Sequence, residues 1–133
     1  MHNTIRLEHR YKHPIHAVWE AISQEKRISE WFIKARFEAK VGFDYTFTHE
    51  STVITGTVTA VEPPHRLVYT WIVGNPDVET TVSWELTQDG DDTVLVLEHS
   101  GIADYGDSAP QFFTNFEGGW KHCIDELQKY LAK

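Results

Sequence analysis

A single cysteine, Cys123, stands in the 133 residues, so no disulfide closes within the chain and a reducing compartment suits it. Long apolar runs are missing too. No stretch approaches the roughly 18 residues that a membrane-spanning helix needs. Met1-His2-Asn3-Thr4 leads into an alternating segment and not into the apolar core of a signal peptide, so the expected location is cytoplasmic. Positive charge is scarce. Twelve Lys and Arg against 20 Asp and Glu leave a formal charge of −8, which excludes the basic footprint that nucleic acid requires. Metal-binding patterns are also absent: His13 and His16 form a close pair on an exposed turn, and neither H-E-x-x-H nor C-x-x-C occurs. Asp89-Gly90-Asp91-Asp92 is too short for a calcium loop and reads as a hairpin turn. There is no glycine-rich phosphate loop, and no histidine shares the helix face of Cys123. These absences predict no catalytic residue, no metal and no cofactor.

What is present is order. No linker, repeat or low-complexity tract interrupts the chain, and its length suits a single domain over residues 1–133. The clearest segment is the last, Ser108 to Leu131. At about 100° per residue, Phe112, Phe113, Phe116, Trp120, Cys123, Ile124, Leu127, Tyr130 and Leu131 fall on one stripe, with charged residues around the rest. That is an amphipathic helix lying on an apolar surface. Ser108-Ala109-Pro110-Gln111 reads as a capping box at its start, with Pro110 in the first turn. Gly118-Gly119 interrupts it, which marks either close packing on neighbours or a soft point in the helix.

The surface beneath it is written as strands. Thr4 to Lys12 alternates, with Ile5, Leu7, His9 and Tyr11 on one face. His13-Pro14 opens a helix carrying Ile15, Val18, Trp19 and Ile22, and Ser23 caps a second short helix through Phe32. Strands with period two follow: Tyr45 to Thr48, Thr52 to Val61, Leu67 to Val73, Val78 to Thr87 and Thr93 to His99. Gly56 marks a bulge or a close backbone approach. Turns fall at Val41-Gly42, Pro63-Pro64, Gly74-Asn75-Pro76-Asp77 and Asp89 to Asp92, and Gly101 to Asp107 reads as a loop. The order predicts an α+β helix-grip fold. A curled antiparallel sheet of six to seven strands wraps the long C-terminal helix, and two short helices follow the first strand.

Four local sequences carry a resemblance. They are Pro14-Ile15-His16-Ala17-Val18-Trp19 with Glu30-Trp31-Phe32, Leu67-Val68-Tyr69-Thr70-Trp71 after Pro63-Pro64, Thr93 to Gly101, and Gly119-Trp120 with Leu127 and Tyr130-Leu131. Together they resemble the START-like (SRPBCC, birch-pollen-allergen-like) superfamily over nearly the whole chain. Within it the chain looks most like the group related to the C-terminal domain of the heat-shock-protein-90 ATPase activator. The resemblance implies a cavity between sheet and C-terminal helix that holds lipids or other apolar molecules. A minority of the superfamily are cyclases or dehydratases. The extra N-terminal domain of the eukaryotic chaperone activators has no counterpart in this sequence.

The candidate site follows from the inward-facing rings. Trp31, Phe32, Phe47, Tyr69, Trp71, Trp84, Phe113, Phe116 and Trp120 either line a ligand cavity or fill the space as core. His99 shares a strand face with Leu95 and Leu97, which aims it under the helix. There it either anchors a ligand by hydrogen bonding or is a structural histidine satisfied by the protein. The expected partner is a small hydrophobic or amphipathic molecule. Two other functions stand beside it: a chaperone-interacting module, and a cyclase or lyase using His99 as acid–base.

Overall fold

Alternating apolar residues have two consequences here, a sheet with one wet face and a need to cover the other. A computed structural model describes residues 3–74 and 77–133 and shows how that need is met. The strands are β1 Ile5–Tyr11, β2 Lys34–Arg36, β3 Asp44–His49, β4 Thr52–Glu62, β5 Arg66–Val73, β6 Thr80–Asp89 and β7 Asp92–Ser100. Helices α1 Ile15–Ser23 and α2 Glu25–Trp31 follow β1, and α3 Ala109–Leu131 comes last. The seven strands form one antiparallel sheet in the order β1-β7-β6-β5-β4-β3-β2. From β2 to β7 each strand pairs with the next, whereas β1 pairs with β7, matching Ile5 to His99 and Tyr11 to Thr93. The register slips between Val58 and Ala60, a bulge that adds twist and helps the sheet curl.

Gly56 stands next to that irregularity, opposite Tyr45. A Cβ there would run into the Thr70 carbonyl oxygen and come within 2.7 Å of the Tyr45 ring. The Tyr45 hydroxyl donates to the same carbonyl at 2.7 Å. Close approach of backbone and ring therefore excludes a side chain.

Helix α3 covers the concave face in two unlike halves. Trp120, Cys123, Ile124 and Leu127 are buried, and Tyr11 of β1 donates its hydroxyl to the Ile124 carbonyl at 3.0 Å. The Tyr130 hydroxyl reaches Glu30 of α2 at 2.7 Å. Phe112, Phe113 and Phe116, on the same stripe in the first half, are only half-buried. Phe112 stacks on Tyr105 at 3.9 Å between centroids.

Several boundaries differ from the sequence reading for local reasons. The expected capping box does not form. Ser108 already has helical dihedrals (φ −86°, ψ −5°) and makes no side-chain cap bond, because 3-10 turns over Ile102–Ser108 feed directly into α3. Those turns replace the expected loop. Ser23 does not cap α2 either: its hydroxyl donates back to the Trp19 carbonyl at 2.6 Å, leaving Gln24 at the N-cap. Helix α2 ends at Trp31 and not at Phe32, β6 begins at Thr80 and not at Val78, and the short β2 was not anticipated. Of the expected turn at Gly74-Asn75-Pro76-Asp77, Asn75 and Pro76 lie outside the described residues, as does the Met1-His2 start.

Candidate ligand-binding site

The turn from α2 into β2, the β3–β4 turn, and the middle of α3 meet at one place on the concave face. Between them lies a groove of about 230 Å³. Phe32 and Ile33 form one wall and Ile54 and Trp71 the sheet side, while Phe116, Gly119 and Trp120 form the helix side. His49, Thr52 and Asn115 supply its polar fringe. Trp71 and Trp120 pack with centroids 5.1 Å apart, and Phe32 lies against Trp120 at 6.0 Å. A second cavity of about 270 Å³ shares Phe32, Ile33, His49 and Gly119, and continues past Trp31 to His122 and Glu126.

Gly119 belongs to both spaces. A Cβ at Gly118 or Gly119 would meet nothing within 4 Å, so neither glycine is required by packing. Each nevertheless weakens the helix by roughly 1 kcal/mol relative to alanine. Close packing, one of the two readings from sequence, does not account for them, and at Gly119 the helix side of the groove carries no side chain.

The expected site residues divide. Phe32, Trp71, Phe116 and Trp120 line the groove, and Trp31 lines the adjoining cavity while its indole N–H donates to the Ala21 carbonyl at 2.7 Å. Phe47, Tyr69 and Trp84 border neither space. Phe47 and Tyr69 pack with Tyr45 at 4.6 and 5.0 Å, and the Trp84 N–H donates to the Tyr69 hydroxyl at 2.9 Å, so these rings fill the core. Phe113 is half-buried and outside the lining. Sequence reasoning missed Ile33, His49, Thr52, Ile54 and Asn115. Of these only Ile54 carried a signal, its inward parity on β4.

His99 also lies outside the lining, for a reason its bonds make plain. The Thr80 hydroxyl donates to the Trp71 carbonyl at 3.0 Å, so its oxygen accepts from His99 Nε2–H at 2.7 Å. On the other side the Trp120 indole N–H donates to Nδ1 at 2.9 Å. Both nitrogens are engaged by protein, and the imidazole is fixed as the neutral Nε2–H tautomer. Burial holds its pKa down to about 3. Of the two readings of His99, the bonds match the one in which protein groups satisfy both nitrogens, with the imidazole accepting from Trp120.

Other titratable groups beneath α3 are equally quiet. Burial pushes the Tyr45 and Tyr69 hydroxyls and the Cys123 thiol well above their ordinary ranges, keeping all three protonated near neutrality. His49 is the one ionisable side chain in the groove lining. Two buried polar atoms lack a partner among the described residues, the Trp71 indole nitrogen and the Tyr105 hydroxyl. No cluster of metal-ligating side chains occurs among them, and no helix is long and apolar enough to cross a membrane.

Comparison with known proteins agrees with this architecture. Residues 12–132 match the profile of the Activator of Hsp90 ATPase homolog 1-like protein family. The crystal structure of protein MLL2253 from Mesorhizobium loti superposes with a TM-score of 0.90 at 28% identity, covering 97% of this chain and 96% of that one. CalU16 from Micromonospora echinospora gives 0.78 at 28% identity, covering 97% of this chain and 76% of its own. An HSP90 activator from Plasmodium falciparum, PFC0360w, shares the fold with a TM-score of 0.80 at 21% identity, covering 98% and 96%. No curated protein matches the chain.

Proposed function

The chain belongs to the Activator of Hsp90 ATPase homolog 1-like protein family, and on that premise we propose that it binds a small apolar molecule in the groove between sheet and α3. The observation that carries this reading is Gly119. A glycine that neither backbone geometry nor packing demands, set in a helix at a stability penalty, leaves open a space walled by Phe32, Trp71, Phe116 and Trp120. Ring walls with a thin polar fringe suit an apolar or amphipathic occupant. An enzyme would need two or more titratable groups converging on the space; the groove lining offers His49 alone, while His122 and Glu126 stand in the adjoining cavity.

Native mass spectrometry of the freshly purified protein tests the proposal. The expected result is a small-molecule adduct that disappears in Gly119→Leu, whose side chain would occupy the groove. An adduct kept at full occupancy in that variant would place the ligand elsewhere.

A chaperone-interacting module is the second reading, supported by the family description. Among the described residues the exposed large hydrophobics are Val41 and Val53, on separate segments, which gives an apolar docking patch little to build on. Saturable binding of purified heat-shock-protein-90 to the isolated chain, unaffected by Gly119→Leu, would bring this reading forward.

A further inference from the structure

Three of the four buried tryptophans have a partner for the indole N–H: Trp31 the Ala21 carbonyl, Trp84 the Tyr69 hydroxyl, and Trp120 the His99 Nδ1. Trp71 is the exception. It is 5% exposed, lines the groove, and its N–H meets no acceptor among the described residues. A buried, unpaired donor is uncommon in a folded protein, and an occupant that supplies an acceptor relieves it while giving up its own bond to water, a net gain of about 3- to 10-fold in affinity.

We infer that the groove takes an uncharged, ring-bearing molecule whose carbonyl oxygen accepts the Trp71 N–H. The inference rests on the groove being the binding site and adds the chemical class of its occupant. The rings of Phe32, Phe116 and Trp120, which line the groove with Trp71, favour an apolar, ring-bearing body. A carboxylate is disfavoured because the lining holds no Lys or Arg, and an unpaired charge in such surroundings is strongly penalised. A hydroxyl would bring an extra donor. The Trp71 carbonyl is already taken by Thr80, and the remaining acceptors stand at the fringe on His49, Thr52 and Asn115. An acceptor without a proton of its own fits best. Reaching the indole requires the first half of α3 to shift. That half buries Ala109 but its phenylalanines only partly, and it ends at Gly118-Gly119.

The test compares 2-acetylnaphthalene with 2-ethylnaphthalene, similar in shape and differing in the carbonyl, by calorimetric titration of the full chain. The wild type is expected to prefer the ketone by about 3- to 10-fold, the worth of one hydrogen bond. Trp71→Phe keeps a ring but no donor, and should bring the two affinities within about 2-fold of each other. A readout that needs no variant is the infrared carbonyl stretch of the bound, ¹³C-labelled ketone, which should move to lower frequency than in hexane. Equal affinities in the wild type, an unchanged ratio in Trp71→Phe, or an unshifted carbonyl band would overturn the inference while leaving the groove as a binding site. Failure of both probes to bind, or binding that Gly119→Leu leaves intact, would overturn the groove reading itself.

Discussion

The indole N–H of Trp120 points at Nδ1 of His99 across 2.9 Å, and this contact decides where the imidazole proton sits. A second proton on Nδ1 would set one N–H against another. The bond thus works with burial to keep His99 neutral, and ties α3 to the strand β7 beneath it.

Stability should depend on pH through this residue. An unfolded histidine titrates near 6.5, and folded His99 at about 3. Between those values the unfolded chain binds a proton that the folded chain does not, so His99 lowers stability progressively as pH falls from about 6.5 toward 3 and has no such effect above that window. The slope approaches about 1.4 kcal/mol per pH unit. His99→Gln, whose amide can accept from Trp120 and donate to Thr80, should remove that part of the slope. Urea melts of both proteins near neutrality and at about pH 5 check it, and parallel lines would contradict the account.

Trp120 should be costly to remove although it borders a groove. It is 4% exposed and holds His99, so Trp120→Ala is expected to lose about 3–5 kcal/mol, with Nδ1 of His99 left unpaired as well. Trp120→Phe retains most of the packing, loses the donor, and should forfeit about 1–3 kcal/mol. Denaturant titration measures both; near-wild-type stability of Trp120→Phe would mean the hydrogen bond matters little.

One substitution at two glycines should act in opposite directions. Gly119→Ala adds a methyl group where nothing lies within 4 Å and should stabilise the chain by about 0.5–1 kcal/mol. Gly56→Ala drives the same methyl into Thr70 and Tyr45 and should destabilise by about 1–3 kcal/mol. Shifts of the same sign in thermal melts would refute the comparison.

Cys123 should be inert in the native protein. Its thiol is buried, with a pKa raised chiefly by burial, so little thiolate is present and little surface is offered to a reagent. Labelling with an aromatic disulfide reagent should proceed at the rate of unfolding and accelerate in urea. Rapid stoichiometric labelling without denaturant would contradict this.

Periodicity made most of the framework legible, because one wet face and one dry face leave a direct trace in each strand and in α3. Ile5 and Tyr11, Leu95 and Leu97, and Ile124 and Leu127 are buried where their parity put them. What periodicity cannot show is who takes a polar atom. Ser23 and Ser108 stood at good capping positions, yet one bonds backward to Trp19 and the other follows 3-10 turns. His99 faced inward as expected, and only three dimensions reveal that Thr80 and Trp120 occupy its nitrogens. Which aromatics line a space was equally hidden, since Phe47 on β3 and Trp71 on β5 both face inward and differ only in what lies over them.

The pairing of β1 with β7 sets a timetable for assembly. Strands β2 to β7 can zip as successive local hairpins, whereas β1 must wait for the strand most distant from it in sequence. During synthesis Ile5, Leu7 and Tyr11 emerge early and stay without their sheet partners until His99 and its neighbours have followed. Until that final docking, β7 is a bare sheet margin, open to a strand from another copy. Arg6, Glu8 and Arg10 stand on the outer face of β1, alternating with those apolar residues, a charge pattern that disfavours pairing with another copy. A nascent chain stalled before β7 should therefore be a better client for a holding chaperone than one stalled after it.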